Sequence, residues 1–328
     1  MRDAFDLDVG GQPKRRYDDD TEPHARGSVL VSAVFEAFTT VFERKVDPYI
    51  RLAQNKLVAL TERDLPSELI ELLARSASRL ASQFLSILIR AIDYCPPVDI
   101  TFGDFLRSMI TADRDLVPDD RYAFREAMID AFRRRAIFPD NVDSLSEDSP
   151  TWRKPRMVIP DILQLNFANL KFRGDPQNAS GPEELIRQAK ALGNVICQPH
   201  LLNEFGLVSL DEARQRGIQV EPPCVQSIRS SRRIGPNGQV VFDLIGEVTQ
   251  RQFVSIERRR MMFCGGSTII LGPEGEIRYV VSKSLVSRRR LDKQIGFIST
   301  DVGKGLWEET RVGFVQRPNV FRLLHDSI

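Results

Sequence analysis

The chain has 328 residues, of which 42% are hydrophobic and 28% charged, a composition typical of soluble globular proteins. No uninterrupted apolar run approaches the roughly 20 residues of a membrane span, and the first residues lack the apolar core of a secretory signal. We therefore expect a cytoplasmic protein without a membrane segment. The net charge of +1 hides an asymmetry, because residues 1–150 carry 20 basic and 27 acidic side chains (−7) and residues 151–328 carry 26 and 18 (+8). This change of sign predicts two domains.

The N-terminal part of the chain is predicted to be helical. Residues 1–23 are polar and without periodicity, which is typical of an extended or disordered lead-in, and residues 24–140 form a helical domain. Its first helix begins near Gly27 and reaches about Leu60, with a kink or a restart at Pro48. Apolar residues recur every four positions on its buried face, at Val29, Ala33, Ala37 and Val41, with a second apolar row beside them at Leu30, Val34, Phe38 and Phe42.

Three further helices follow in this domain. The second is predicted over residues 67–94, ending at two prolines, with a buried face formed by Leu69, Leu73, Ala77, Leu80, Phe84, Leu88 and Ile92. Thr101 and Asp104 have the spacing of a capping box and open the third helix, which ends near Ala112. The fourth begins near Asp119.

The C-terminal part has a different texture. Residues 141–180 are proline-rich and predicted as a connecting region, and residues 181–328 as a β-rich domain with short helices over 181–192 and 209–217. Ser209 is the predicted N-cap of the second of these helices. Two hairpins are indicated, one around the turn signal at 235–238 and one just before Gly275. The predicted fold class is α+β, an all-α domain followed by a mixed, mainly antiparallel β domain.

The sequence contains no complete active-site motif. HExxH, GxGxxG, Walker, GxSxG and CxxC patterns are all absent, and the four scattered cysteines predict free thiols. His200 and Glu204 have the spacing of two metal ligands on a helix face, but Pro199 makes a helix start the preferred interpretation. Three arginine tracts, at 133–135, 258–260 and 288–290, could contact phosphates, although solvated charged faces are the commoner explanation.

His24 is the remaining candidate, since it lies between a group of carboxylates and the first helix. A carboxylate that fixes one ring nitrogen would let the other donate to a developing oxyanion. A histidine on a surface loop is the simpler alternative.

Two segments resemble the thermolysin-like zinc metallopeptidases, the gluzincins. PHARGSVLVSAVFEA, residues 23–37, is similar to the segment in which a histidine opens the first long helix of their C-terminal helical domain. ITFGDFLRSMITADRDLVPDDRYAFREAMIDAFRRRAIFP, residues 100–139, resembles the closing helices of that domain. The resemblance implies that His24 stabilises the tetrahedral intermediate and that Asp19 orients it, with Asp20 and Glu22 as possible substitutes.

The resemblance also implies a missing part. The family's zinc ligands and general base belong to an upstream domain, so zinc is expected only if that domain is present, and this chain holds no cofactor of its own. The partners would be the upstream catalytic domain, or its separate polypeptide, and a peptide or protein substrate. The chain would be the C-terminal portion of a metallopeptidase, inactive in isolation, or a degenerate relative.

The alternative function is a binding or scaffold protein that uses the basic β-rich domain. Nucleic acid is not an expected partner, because the arginine tracts lack a known motif and have no aromatic residues interleaved between them.

Overall fold

The computed structural model describes residues 12–19, 22–56, 66–140, 142, 150–172, 180–234, 239–256, 259–310 and 313–317. The chain divides into two compact units, here called the helical unit (Met1–Asp93 and Thr101–Thr151) and the β-rich unit (Tyr94–Ile100 and Trp152–Ile328). Helices come first and the sheet follows, so the predicted α+β fold class is confirmed.

The helical unit contains α1 (Pro23–Lys56), α2 (Ser67–Ile92), α3 (Phe102–Leu116) and α4 (Phe124–Arg134). α1 continues through Pro48, and its predicted end near Leu60 lies outside the described residues. The predicted face of α1 is confirmed, since Val29, Ala33, Ala37 and Val41 are all buried.

Of the predicted buried face of α2, Leu80 and Phe84 are buried, whereas Leu69, Leu73, Ala77 and Leu88 are partly exposed. Ile92 was expected to be buried but is 62% exposed, whereas Ile87 is 1% exposed. Apolar residues surround most of the C-terminal half of α2, so periodicity alone does not select one face. The inward side of α2 packs through aromatic contacts. The distance between ring centroids is 5.3 Å from Phe84 to Phe38 of α1 and 4.6 Å from Phe84 to Phe124 of α4.

Buried ion pairs connect the helices of this unit. Glu36 of α1 accepts hydrogen bonds from Arg134 of α4 and from Arg135, the C-cap of that helix, and Arg135 is 1% exposed. Asp113 of α3 accepts a 2.9 Å hydrogen bond from Nε of Arg125 of α4. Because removing one partner of such a pair leaves a buried charge uncompensated, these pairs fix which helix faces meet.

The predicted capping box at the start of α3 is confirmed. The Thr101 hydroxyl accepts from the Asp104 backbone N–H at 3.1 Å, and Asp104 Oδ2 accepts from the Thr101 backbone N–H at 2.8 Å.

Part of the predicted lead-in packs on the helical unit. The Tyr17 ring lies 5.4 Å from the Phe102 ring and under the Arg26 guanidinium, and its backbone N–H donates to the Arg135 carbonyl. Residues 12–19 are therefore held to the unit by an aromatic anchor, which periodicity does not detect. Residues 1–11 lie outside the described residues.

The β-rich unit alternates short helices with long strands. Its helices are α5 (Pro182–Ile196), α6 (Leu210–Gln215), α7 (Arg288–Ile298) and α8 (Asp301–Leu306), with 3₁₀ turns at Leu163–Leu165, Phe167–Asn169 and Leu202–Phe205. Its strands are β1 (Gln219–Val220), β2 (Cys224–Ile234), β3 (Val240–Ile256), β4 (Arg259–Leu271), β5 (Ile277–Lys283), β6 (Trp307–Thr310) and β7 (Gly313–Gln316). Ser209 caps α6 as predicted, accepting from the Glu212 N–H at 3.0 Å.

The strands form one sheet around β3 and β4. Both predicted hairpins are present, as β2 pairs antiparallel with β3 and β4 with β5. β3 also pairs with β1 and β4, and β4 pairs in parallel with β7, which is antiparallel to β6. The turn residues 235–238 lie outside the described residues. Gly275 in the second turn has a φ of +87°, which favours glycine.

The predicted connecting region contributes to the core of this unit over its described part. Ile162, Leu165 and Leu170 are buried with Leu192 of α5. Backbone hydrogen bonds from Ile162 to Gly275 and from Phe167 to Pro273 fix the segment on the β4–β5 turn. The expected linker is thus a packed irregular segment, because its backbone bonds pair with the sheet turn instead of forming a periodic element.

The segment Tyr94–Ile100 belongs to the β-rich unit although it lies between two helices of the other unit. Thr268 donates a 2.7 Å hydrogen bond to the Cys95 carbonyl, and the Tyr94 ring lies 5.6 Å from that of Tyr279. Asp99 pairs with Arg290. Tyr94 and Cys95, which follow α2, are therefore buried within the β-rich unit.

Candidate functional site

The structure places His24 in the first turn of α1 and pairs it with Glu22. The His24 Nδ1 atom lies 2.7 Å from Glu22 Oε1, and the same carboxylate accepts from the backbone N–H groups of His24 and Ala25. Asp19, predicted to orient the ring, accepts instead a 2.6 Å hydrogen bond from the Arg16 N–H. Asp20, the other predicted substitute, lies outside the described residues.

Glu22 acts as a carboxylate at a helix start. The backbone N–H of His24, the His24 side chain and the Ala25 N–H lower the pKa of Glu22 to about 2. An ionised carboxylate on Nδ1 would fix the tautomer and orientation of the His24 ring. The same contacts describe an ordinary helix N-terminal acceptor, which stabilises the first turn of α1.

The structure gives His200 and Glu204 different surroundings. Glu204 lies in the 3₁₀ turn Leu202–Phe205 and accepts from the Arg153 guanidinium and from the Arg156 N–H, whereas His200 is exposed in the preceding turn. Within the described part of the chain, no group of three or more His, Cys, Asp and Glu side chains could hold a metal ion. All four cysteines are free thiols.

The arginine tracts have partners within the protein. Arg133 pairs with Asp130, Arg288 with Asp292, and Arg290 with Asp99. Arg258 and the side chain of Arg259 lie outside the described residues. Elsewhere in the β-rich unit, ion pairs join Arg187 to Glu184, Arg229 to Glu247, Arg251 to Glu221, and Arg278 to Asp243. Much of the positive charge of this unit is therefore balanced by its own carboxylates.

The helical unit has an apolar groove on its surface. It has a volume of about 690 Å³ and lies along α1 and α2, with one residue from α3. All of its lining side chains are apolar: Leu30, Val31, Val34, Phe35, Phe38, Ala81, Phe84, Leu85, Leu88, Ile89, Ile92 and Phe105.

The rim of this groove is exposed. Val31 of α1 is 61% exposed, and Leu85, Ile89 and Ile92 of α2 are 58%, 60% and 62% exposed. Scattered single apolar residues are ordinary on a protein surface, but a contiguous patch marks a binding site. The groove can therefore hold an apolar segment without a compensating polar contact.

Sequence reasoning missed this groove, although a signal was present. The second apolar row of α1 was interpreted as part of a broad buried face, and its members Leu30, Val34 and Phe38 line the groove instead. A stripe wider than one neighbouring helix can cover indicates a further, uncovered contact.

One described helix is long and apolar enough to cross a membrane, judged by length and composition alone: α1 over Pro23–Ala53. Core helices and signal sequences share this property. About a third of its most apolar stretch is buried within the protein, and Glu36 within α1 pairs with Arg134 and Arg135 at the end of α4.

Comparisons with models of protein families, with curated proteins and with solved structures found no match to this chain.

Proposed function

We propose that this protein is a binding or scaffold protein whose helical unit holds an apolar helical segment in the groove between α1 and α2. The observation that carries the proposal is the groove itself, 690 Å³ in volume and lined only by apolar side chains. An amphipathic helix binds such a groove through apolar anchors spaced at i, i+3 or i+4, and i+7.

The geometry favours the helical unit over the basic β-rich domain as the binding surface. Arginines of the β-rich unit are engaged in ion pairs with neighbouring carboxylates, as Arg229 is with Glu247. The groove, in contrast, leaves Leu85 and Ile89 more than half exposed. At roughly 25 cal/mol per Å² of apolar surface, covering these side chains is the larger source of binding free energy.

Binding of an apolar fluorescent dye, anilinonaphthalene sulfonate, to the purified full chain tests this proposal. With the chain dilute enough to be monomeric, so that the groove is open, we expect saturable binding that Ile89→Glu weakens by at least about tenfold, because a carboxylate in the groove must be desolvated. Leu72→Glu is the matched control, since Leu72 is 43% exposed on the same helix and does not line the groove. Equal binding by the wild type and both variants would contradict the proposal.

A second candidate function, favoured by the contact between His24 and Glu22, is the C-terminal portion of a zinc metallopeptidase. The 2.7 Å contact between Nδ1 and the carboxylate is the arrangement that an oriented oxyanion donor needs. Zinc, its ligands and the general base would come from an upstream domain or a separate polypeptide, and a peptide or protein would be the substrate.

This candidate is tested in a protein that contains the upstream catalytic segment. His24→Ala is expected to slow peptide hydrolysis by about 10²- to 10³-fold while zinc binding is unchanged. Glu22→Gln should slow it more than Asp19→Asn, because Glu22 contacts the ring and Asp19 bonds to Arg16. Unchanged hydrolysis in His24→Ala would exclude the role.

A further inference from the structure

We propose that the apolar segment held in the groove is α2 of a second copy of this chain, so that two α1–α2 faces form a symmetric dimer. This inference rests on the proposed function and names the partner of the same groove. In such a contact each copy contributes the same surface, and the surface must be complementary to itself.

The chain itself carries the kind of helix that the groove fits. Leu85, Ile89 and Ile92 of α2 point outward at i, i+4 and i+7, with exposures of 58%, 60% and 62%. This is the anchor spacing of a helix that binds in an apolar groove. We call these three side chains the α2 ridge. They also form one wall of the groove, so a two-fold axis can bring the ridge of each copy onto the groove of the other.

Small residues beside the ridge allow close approach of a second helix. Ser82 and Ser86 are exposed next to the anchors. The Ser82 hydroxyl donates to the Ser78 carbonyl at 3.0 Å and the Ser86 hydroxyl to the Ser82 carbonyl at 2.9 Å. Because these hydroxyls donate within their own helix, a second copy can cover them without leaving a donor unsatisfied.

The charge distribution favours a second copy over a partner of different composition. No charged side chain lines the groove, and over Leu80–Ile92 the charged side chain of α2 is Arg90, which is buried and paired with Asp93. A heterologous partner is usually selected by complementary charges, whereas like charges meeting across a two-fold axis are destabilising. Two copies of an uncharged face can pack against each other without that repulsion.

The size of the exposed patch matches that of a dimer contact. The five rim side chains, Val31, Phe35, Leu85, Ile89 and Ile92, are 36–62% exposed. At roughly 100 Å² each they present about 500 Å² of apolar surface, at the upper end for the largest patch of a monomer. A standard interface buries about 800 Å² per partner, of which about 65% is apolar in homodimers.

Sedimentation equilibrium of the full chain tests the inference. We expect the wild type to have twice the 37.3 kDa of one chain. Ile89→Glu and Ile89→Lys should each raise the dimer dissociation constant by at least about 100-fold, because each charge faces its like across the axis. Mixing the two variants should restore a mixed dimer, and Leu72→Glu should remain dimeric. Circular dichroism verifies that each variant is folded. If a charged variant is unfolded, Ile89→Ser replaces it in the sedimentation experiment.

Other outcomes separate this inference from the proposed function. A monomeric wild type that binds anilinonaphthalene sulfonate, with binding lost in Ile89→Glu, would overturn self-association and leave the groove as a binding site. A monomer that binds no dye would overturn both. A monomer that sediments with phosphatidylcholine vesicles, and fails to do so as Ile89→Glu, would overturn the dimer in favour of a lipid surface. A dimer that Leu72→Glu dissociates equally would place the contact elsewhere.

Discussion

Asp113 shows how one buried side chain makes the stability of the helical unit depend on pH. It is 1% exposed, and burial outweighs the attraction of Arg125, which raises the pKa of Asp113 to about 7; the nearby charge of Asp120 acts in the same direction. Its Oδ1 atom has no hydrogen-bond partner among the described residues, consistent with a costly charge at this position.

We predict that the wild type loses stability relative to Asp113→Asn as pH rises from 5 to 8. Since the folded pKa of about 7 lies above the ordinary 3.8, the folded state holds a proton that the unfolded state releases, and this contribution disappears as pH rises through 7. The difference in the free energy of unfolding should change by roughly 1–3 kcal/mol, measured from urea midpoints at the two pH values.

Asp113→Asn also changes the contact with Arg125, and this effect on stability is the same at every pH. Only the pH dependence of the difference in the free energy of unfolding therefore reports the titration of the Asp113 carboxyl. Asp119→Asn is the control, because Asp119 is exposed on the following loop. Parallel stabilities of the wild type and Asp113→Asn between pH 5 and 8 would contradict the prediction.

At the scale of single elements, the start of α3 depends on its capping box. Thr101→Ala removes the acceptor of the Asp104 N–H and leaves the Asp104 carboxylate with one bond fewer. We expect a loss of about 1–2 kcal/mol in the free energy of unfolding. Thr101→Ser retains the hydroxyl and should lose less than half of that amount. Equal losses in the two variants would show that the Thr101 methyl group, not the cap, stabilises α3.

The elements were predictable where local chemistry decides them. The apolar row at Val29, Ala33 and Ala37, the caps at Thr101 and Ser209, and both hairpins could be predicted because each depends on residues a few positions apart. α8 and strands β1, β6 and β7 were missed, since they are short and their burial depends on distant partners. α7 was missed because its start was interpreted only as an arginine tract.

The candidate site was less predictable than the elements. The resemblance implied Asp19 as the partner of His24, with Glu22 as a possible substitute, and the structure pairs His24 with Glu22 because the helix start brings that carboxylate to the ring. Predicting the groove would have required knowing which apolar side chains no other element covers, as is the case for Leu85 and Ile89. Periodicity reports that a face is apolar but does not report whether another element covers it.

At the scale of the whole molecule, the boundary of the β-rich unit predicts how the chain behaves when cut. A chain divided between Thr151 and Trp152 and produced as two co-expressed pieces should stay associated, because the first piece carries Tyr94–Ile100 of the β-rich unit. Co-purification through a tag on either piece measures this association. Thr268→Val together with Tyr279→Ala should reduce it, since these residues contact Cys95 and Tyr94. Pieces that separate completely without these substitutions would contradict the prediction.

The same loop has a consequence for the order of events during synthesis. The hydrogen bond between Thr268 and the Cys95 carbonyl joins positions 173 residues apart. During translation, Cys95 therefore leaves the ribosome long before Thr268 has been synthesised. Closing so long a loop is entropically costly and slow compared with helix pairing. A nascent chain must therefore keep residues 94–100 available until β4 and β5 emerge.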